Sequence, residues 1–198
     1  MKTAIIIHGV CEDRTEYLQE YEGGYGPPKS DSHWYPWVAG KLCLREILTQ
    51  CPEMPHPYVA DGMKYDEWAN TFENFKITPE TILIGHSAGA GFLLKYLALN
   101  PEIRAAQLIL VAPWTDPAAE AGDFMKGALS DSTLSEYVGR IELFYSMDDD
   151  ERILESVEQI RIIYGSAPNF KIYEYIDKGH FCFGDIGKEF PELLEVIK

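Results

Sequence analysis

The apolar run Thr81-Ile82-Leu83-Ile84 leads directly into Gly85-His86-Ser87-Ala88-Gly89, and Ala90 to Leu99 follows as a helix with small residues at its start. That junction restricts the fold more than any other stretch of the chain. A run that is apolar at consecutive positions, not at alternate ones, is a strand covered on both faces. A glycine on each side of the serine lets the chain turn sharply and lift the hydroxyl to the carboxyl edge of a sheet. A serine that only caps a helix needs no such pair of glycines.

The remaining segments continue the alternation. Ala4 to His8 is a second continuous apolar run, and Ala106 to Val111, Ile141 to Tyr145 and Phe170 to Ile176 read as further strands. Pro57 to Ala60 is a short strand candidate. Helical spacing marks Trp34 to Leu48, Tyr65 to Phe75 and Glu151 to Tyr164, and Phe190 to Ile197 closes the chain with Pro191 in its first turn. Strands alternating with helices predict a three-layer α/β/α sandwich around a mainly parallel sheet, in one domain over 1–198. Residues 11–33, with Glu22-Gly23-Gly24-Tyr25-Gly26-Pro27-Pro28, read as a long loop insertion, functional or disordered. Residues 115–137 read as a loop with a short helical piece. They form at most a minimal lid and leave no room for a large cap domain.

Composition narrows the function classes. A chain of 198 residues with 46% hydrophobic residues can bury one core. A formal net charge of −15 repels nucleic-acid phosphates and anionic lipid, so neither is an expected partner. No stretch approaches the roughly 20 apolar residues of a membrane span. The apolar start, Ala4 to Ile7, is too short for a signal peptide and reads as a first strand, which places the chain in the cytoplasm. Cys11, Cys43, Cys51 and Cys182 have neither disulfide nor metal spacing, and no metal or cofactor is expected.

Ser87, on its strand-to-helix turn, is the candidate nucleophile of an α/β-hydrolase fold. In that fold the acid and then the histidine follow the nucleophile along the chain. Of the five histidines only His180 comes after Ser87, in Asp177-Lys178-Gly179-His180 just beyond the last strand. The acid belongs after the strand that ends at Tyr145, where Asp148, Asp149 and Asp150 stand in a row. One of these carboxylates must accept from the imidazole Nδ1–H, and its neighbours suit the N-terminus of the next helix. The backbone N–H groups of Ala88 and Val10 are the candidate oxyanion donors, with Gly9 allowing close approach. Trp114, Trp34, Tyr35 and Phe181 are candidate pocket residues. His33 and His56 lie in loops outside the reacting set, and of the two His33 is placed to line the site.

Taken together, the His8-Gly9 turn, Trp34-Tyr35-Pro36-Trp37-Val38, Ile82 to Ala90, Leu108 to Pro113, Ser146-Met147-Asp148-Asp149 and Gly179-His180-Phe181 carry a resemblance. They resemble the small serine hydrolases of the family that contains retinoblastoma-binding protein 9 and its bacterial relatives. The resemblance implies an α/β-hydrolase fold without a large cap domain and maps the acid to Asp149. The family pattern continues with proline, where this chain has Asp150, so Asp148 and Asp150 stay in play. The implied function is a carboxylesterase-like serine hydrolase acting on a small ester, amide or thioester through an acyl-enzyme, with aminopeptidase-like hydrolysis as a variant. The alternative is a protein of this fold that has lost catalysis and serves as a protein- or ligand-binding module.

Overall fold

Apolar side chains at consecutive positions make Thr3–Ile7 (β1), Thr81–His86 (β3), Gln107–Val111 (β4) and Ile141–Ser146 (β5) the buried centre of the sheet. In the computed structural model, which describes residues 2–22, 29–60, 62–130 and 133–198, these strands run parallel. Two edge strands complete the sheet, Leu48–Gln50 (β2) and Phe170–Tyr175 (β6), in the order β2-β1-β3-β4-β5-β6. The edges are less apolar, as expected where one side of the strand meets solvent.

The chain leaves β1 towards β2 and then returns across β1 to β3. It moves in one direction from there to β6. Right-handed crossovers put helices reached in opposite directions on opposite faces of the sheet. One face carries Tyr35–Cys43 (α2) and Pro191–Val196 (α8), which touch each other. The other carries Tyr65–Phe72 (α3) and Ala88–Leu99 (α4), joined by edge-on contacts of Phe72 and Trp68 with Phe92. Glu151–Tyr164 (α6) makes the crossover between β5 and β6. The direction reverses between β1 and β3, and a crevice opens there beyond the carboxyl ends of the strands.

Several elements differ from the sequence expectation. The second strand is β2, not Pro57 to Ala60, where only a bridge between Tyr58 and Cys11 forms. Leu44 and Ile47 extend the helical spacing of α2, yet the chain turns at Glu46, with φ of 59°, and enters β2 at once. Within the segment expected to be a loop, Arg14–Glu22 is helical (α1). Asp13 Oδ1 starts that helix by accepting from the N–H groups of Thr15 at 2.6 Å and Glu16 at 2.9 Å. Lys29–Asp31 forms a 3₁₀ turn, and residues 23–28 of the expected loop lie outside the described residues. The short helical piece expected within 115–137 is Leu134–Tyr137 (α5), and Phe183–Ile186 (α7) is a further short helix. Among the described residues, no helix is long and apolar enough to cross a membrane.

Candidate active site

Ser87 sits between β3 and α4 with φ of 54° and ψ of −122°, a conformation that L-residues rarely adopt. The surroundings enforce it. A Cβ on Gly85 would lie 2.6 Å from the Ala90 nitrogen, and one on Gly89 would lie 2.6 Å from the His8 carbonyl oxygen. Only glycine lets β3, α4 and the end of β1 approach this closely. The Ser87 N–H donates to the Val111 carbonyl at 2.9 Å, and the Ser87 carbonyl accepts from the Trp114 N–H at 3.1 Å. The main chain is therefore tied to the end of β4, and the partly exposed side chain faces a cavity of about 230 Å³.

His180 lines the same cavity. Its Nδ1 is 3.0 Å from both carboxylate oxygens of Asp149, whose side chain is only 2% exposed. The three consecutive aspartates have separate partners. Asp148 accepts from the Gly179 N–H at 3.1 Å and from the Ser146 hydroxyl at 2.5 Å, and Ser146 Oγ in turn accepts from the Lys178 N–H at 3.0 Å. The hydroxyl of Ser146 and the N–H groups around it hold the Asp148 carboxyl below its usual range. Asp150 caps α6 by accepting from the Arg152 N–H at 2.9 Å and pairs with the Arg152 guanidinium. Of the three, the structure brings Asp149 to His180.

The turn after β1 is gripped by His8. The Met54 N–H donates to His8 Nε2 at 2.8 Å, so the proton of this buried, neutral imidazole sits on Nδ1 and is donated to the Gly9 carbonyl at 2.6 Å. Burial pushes the His8 pKa down and keeps it neutral. A trans peptide directs the next N–H opposite to its carbonyl, so the Val10 N–H points away from His8. Val10 lines the cavity. A Cβ on Gly9 would lie 3.1 Å from that of Ser87, so this turn packs directly against the serine. Ala88 opens α4, where the backbone N–H groups of a helix start are unpaired within the helix.

Of the four aromatic residues expected in the pocket, Trp114 lines the cavity. Trp34, Tyr35 and Phe181 do not line it. They are no more than 1% exposed and pack with His86 and Phe190 in the core behind the site. The aromatic entry to α2 is core because α2 and α8 close over it. The cavity also takes Cys11, Glu12 and Val59 from the segments after β1 and β2, and Glu120, Asp150, Arg152 and Ile153 from beside α6. Sequence reading misses Val59, Arg152 and Ile153, whereas Asp150 is one of its three candidate acids, Cys11 and Glu12 belong to its 11–33 insertion and Glu120 to its 115–137 lid. The place of Arg152 and Ile153, in the first turn after the aspartates, was the signal that could have found them. A salt bridge of 3.0 Å between Arg152 and Glu120 crosses the rim. Among the described residues, no group of three or more His, Cys, Asp or Glu side chains could hold a metal ion.

Comparison with known proteins bears on the fold and the family. The chain is 29% identical over 188 residues to the serine hydrolase RBBP9 of Rattus norvegicus, covering 89% of this chain and 90% of the relative. It is 22% identical over 174 residues to the putative hydrolase YdeN of Bacillus subtilis, covering 85% and 88%. The crystal structure of the B. subtilis ydeN gene product superposes with a TM-score of 0.73 at 20% identity, over 100% of this chain and 97% of that one, which shows a shared fold. The model of the serine hydrolase family matches residues 23–167, a span that includes Ser87 and Asp149. The chain belongs to the serine hydrolase family.

Proposed function

We propose that the protein hydrolyses a carboxylic ester, thioester or amide of a small substrate through Ser87, His180 and Asp149. One observation carries this reading: a serine held in a strained turn shares a cavity with a histidine whose Nδ1 rests on a buried aspartate. Asp149 accepts from Nδ1–H, which leaves the lone pair of His180 on Nε2. Ser87 Oγ adds to the substrate carbonyl carbon and its proton passes to Nε2. The tetrahedral intermediate then expels the alcohol, thiol or amine, which takes that proton. Water, deprotonated by the same nitrogen, hydrolyses the acyl-enzyme and returns Ser87 to its starting state. The N–H groups of Ala88 and Val10 are the oxyanion donors, each worth on the order of 10²–10³ in rate. A cavity of about 230 Å³ suits a small acyl group better than a long chain. Cys11, Cys43, Cys51 and Cys182, which lack disulfide spacing in the sequence, fit a reducing, cytoplasmic setting.

A fluorophosphonate probe tests the reading. The expected result is labelling of the wild type at Ser87 and none of Ser87→Ala, together with hydrolysis of p-nitrophenyl acetate by the wild type alone. A folded wild type that neither labels nor turns over activated esters and aminoacyl amides would instead be a binding module.

A further inference from the structure

Behind the cavity, buried polar groups connect the first turn of α2 to the loop that carries His180. Tyr35 Oη is 2.6 Å from His86 Nδ1, and His86 Nε2 is 2.7 Å from the His180 carbonyl oxygen. A carbonyl can only accept, so the proton of His86 is on Nε2 and its Nδ1 is the acceptor. The direction of both bonds follows: Tyr35 O–H to His86, His86 N–H to His180. His86 is 1% exposed and Tyr35 is 1% exposed, so water does not compete for these groups. Burial, reinforced by the neighbouring His180 and His33, drives the His86 pKa well below its ordinary value and preserves the neutral form this chain requires.

The segment at the far end needs holding. Gly179 and Phe181, on either side of His180, have φ of 48° and 57°, and Phe181 is not a glycine. The Phe181 carbonyl accepts from Trp34 Nε1–H at 3.1 Å, and the His180 N–H donates to Asp185 at 3.1 Å. The His180 carbonyl is fixed by His86, the residue that immediately precedes the candidate nucleophile. The hydrogen bond therefore ties the segment that carries His180 to the residue next to Ser87.

We propose that His86 and Tyr35 are positioning residues: through the chain Tyr35–His86–His180 they set the place of the His180 imidazole relative to Ser87. The role rests on the serine-hydrolase reading of the site. Neither residue touches the cavity, so their removal acts on the rate of the chemical step and not on binding.

The test compares Tyr35→Phe, His86→Leu and His86→Gln with the wild type, using p-nitrophenyl acetate kinetics, fluorophosphonate labelling and thermal unfolding. Tyr35→Phe keeps the ring and removes only the hydroxyl, and is expected to lower kcat on the order of tenfold with KM little changed. His86→Leu breaks the bond to His180 and is expected to lower kcat about 10²-fold. His86→Gln places an amide donor near the position of Nε2, and recovers much of that loss. A wild type that labels at Ser87, with folded Tyr35→Phe and His86→Leu proteins that match its kcat, would overturn the positioning role alone. So would a His86→Gln protein as slow as His86→Leu at equal stability, since only the donor distinguishes them. A wild type that does not label removes the hydrolase reading and the positioning role with it.

Discussion

The aspartates at 148 to 150 show how three identical side chains come to do different work. Asp149 is buried against His180, Asp148 faces the N–H groups of the following loop, and Asp150 closes the first turn of α6. Substitution should separate them. Asp149→Asn leaves shape intact but removes the acceptor that fixes the imidazole tautomer, and kcat should fall on the order of 10⁴-fold in ester hydrolysis. Asp150→Ala should instead lower stability by about 1 kcal/mol, read by denaturant unfolding, because its main loss is a helix cap. Equal effects of the two on kcat would contradict the assignment. The sequence located the group of carboxylates from the end of a strand. Which one turns inward depends on where the 178–180 loop presents its N–H groups, and that contact joins residues about thirty positions apart, beyond the reach of local pattern. Ser87 was legible because the glycines around it record a steric demand in the sequence itself. Gly89→Ala checks that demand: its new methyl would meet the carbonyls of Ile7 and His8, and unfolding stability should drop by about 1–3 kcal/mol or more.

Elements were legible where burial was complete. The four central strands are apolar at nearly every position, and the helix α6 has one apolar face, so period and composition agree. Legibility failed at the margins. The segment Arg14–Glu22 has no apolar stripe to signal a helix, and its start is set by Asp13. Strand β2 has only three residues and belongs to the sheet through its backbone pairing with β1, which side-chain pattern does not report. Within the expected minimal lid, residues 115–137, one anchor is a buried ammonium. Lys95, in α4 and 8% exposed, donates its ammonium to the carbonyls of Asp123 at 2.6 Å and Phe124 at 3.0 Å, and lies 4.3 Å from the centre of the Tyr65 ring. Lys95→Met keeps most of the volume and leaves both carbonyls without that donor. Limited proteolysis should then cut within 116–130 faster than in the wild type, with a stability loss of about 1–3 kcal/mol. An unchanged cleavage pattern would show that the Glu120–Arg152 salt bridge and the buried Phe124 and Met125 hold the segment without the ammonium.

At the scale of the whole molecule, the buried histidines couple the architecture to pH. His8 and His86 stand at the carboxyl ends of the two central strands on either side of the topological reversal, each fully enclosed and each neutral because burial outweighs every favourable charge nearby. Both pKa values are lowered in the folded protein. In the unfolded chain each imidazole takes up a proton near its ordinary value of 6.5. Below that value the unfolded state binds more protons than the native state, so stability falls as pH falls. The stabilisation is complete above pH 6.5 and is lost progressively towards the depressed folded values, at about 1.4 kcal/mol per pH unit for each histidine. Asp148 adds a loss of the same sign only below 3.8, its ordinary carboxylate value. Thermal unfolding of the wild type should therefore weaken between pH 6.5 and pH 5, before carboxylates are protonated. His86→Gln, which keeps a donor for the His180 carbonyl and cannot take up a proton in this range, should reduce that slope by about half. A slope unaltered by His86→Gln would mean that the acid sensitivity does not arise at His86.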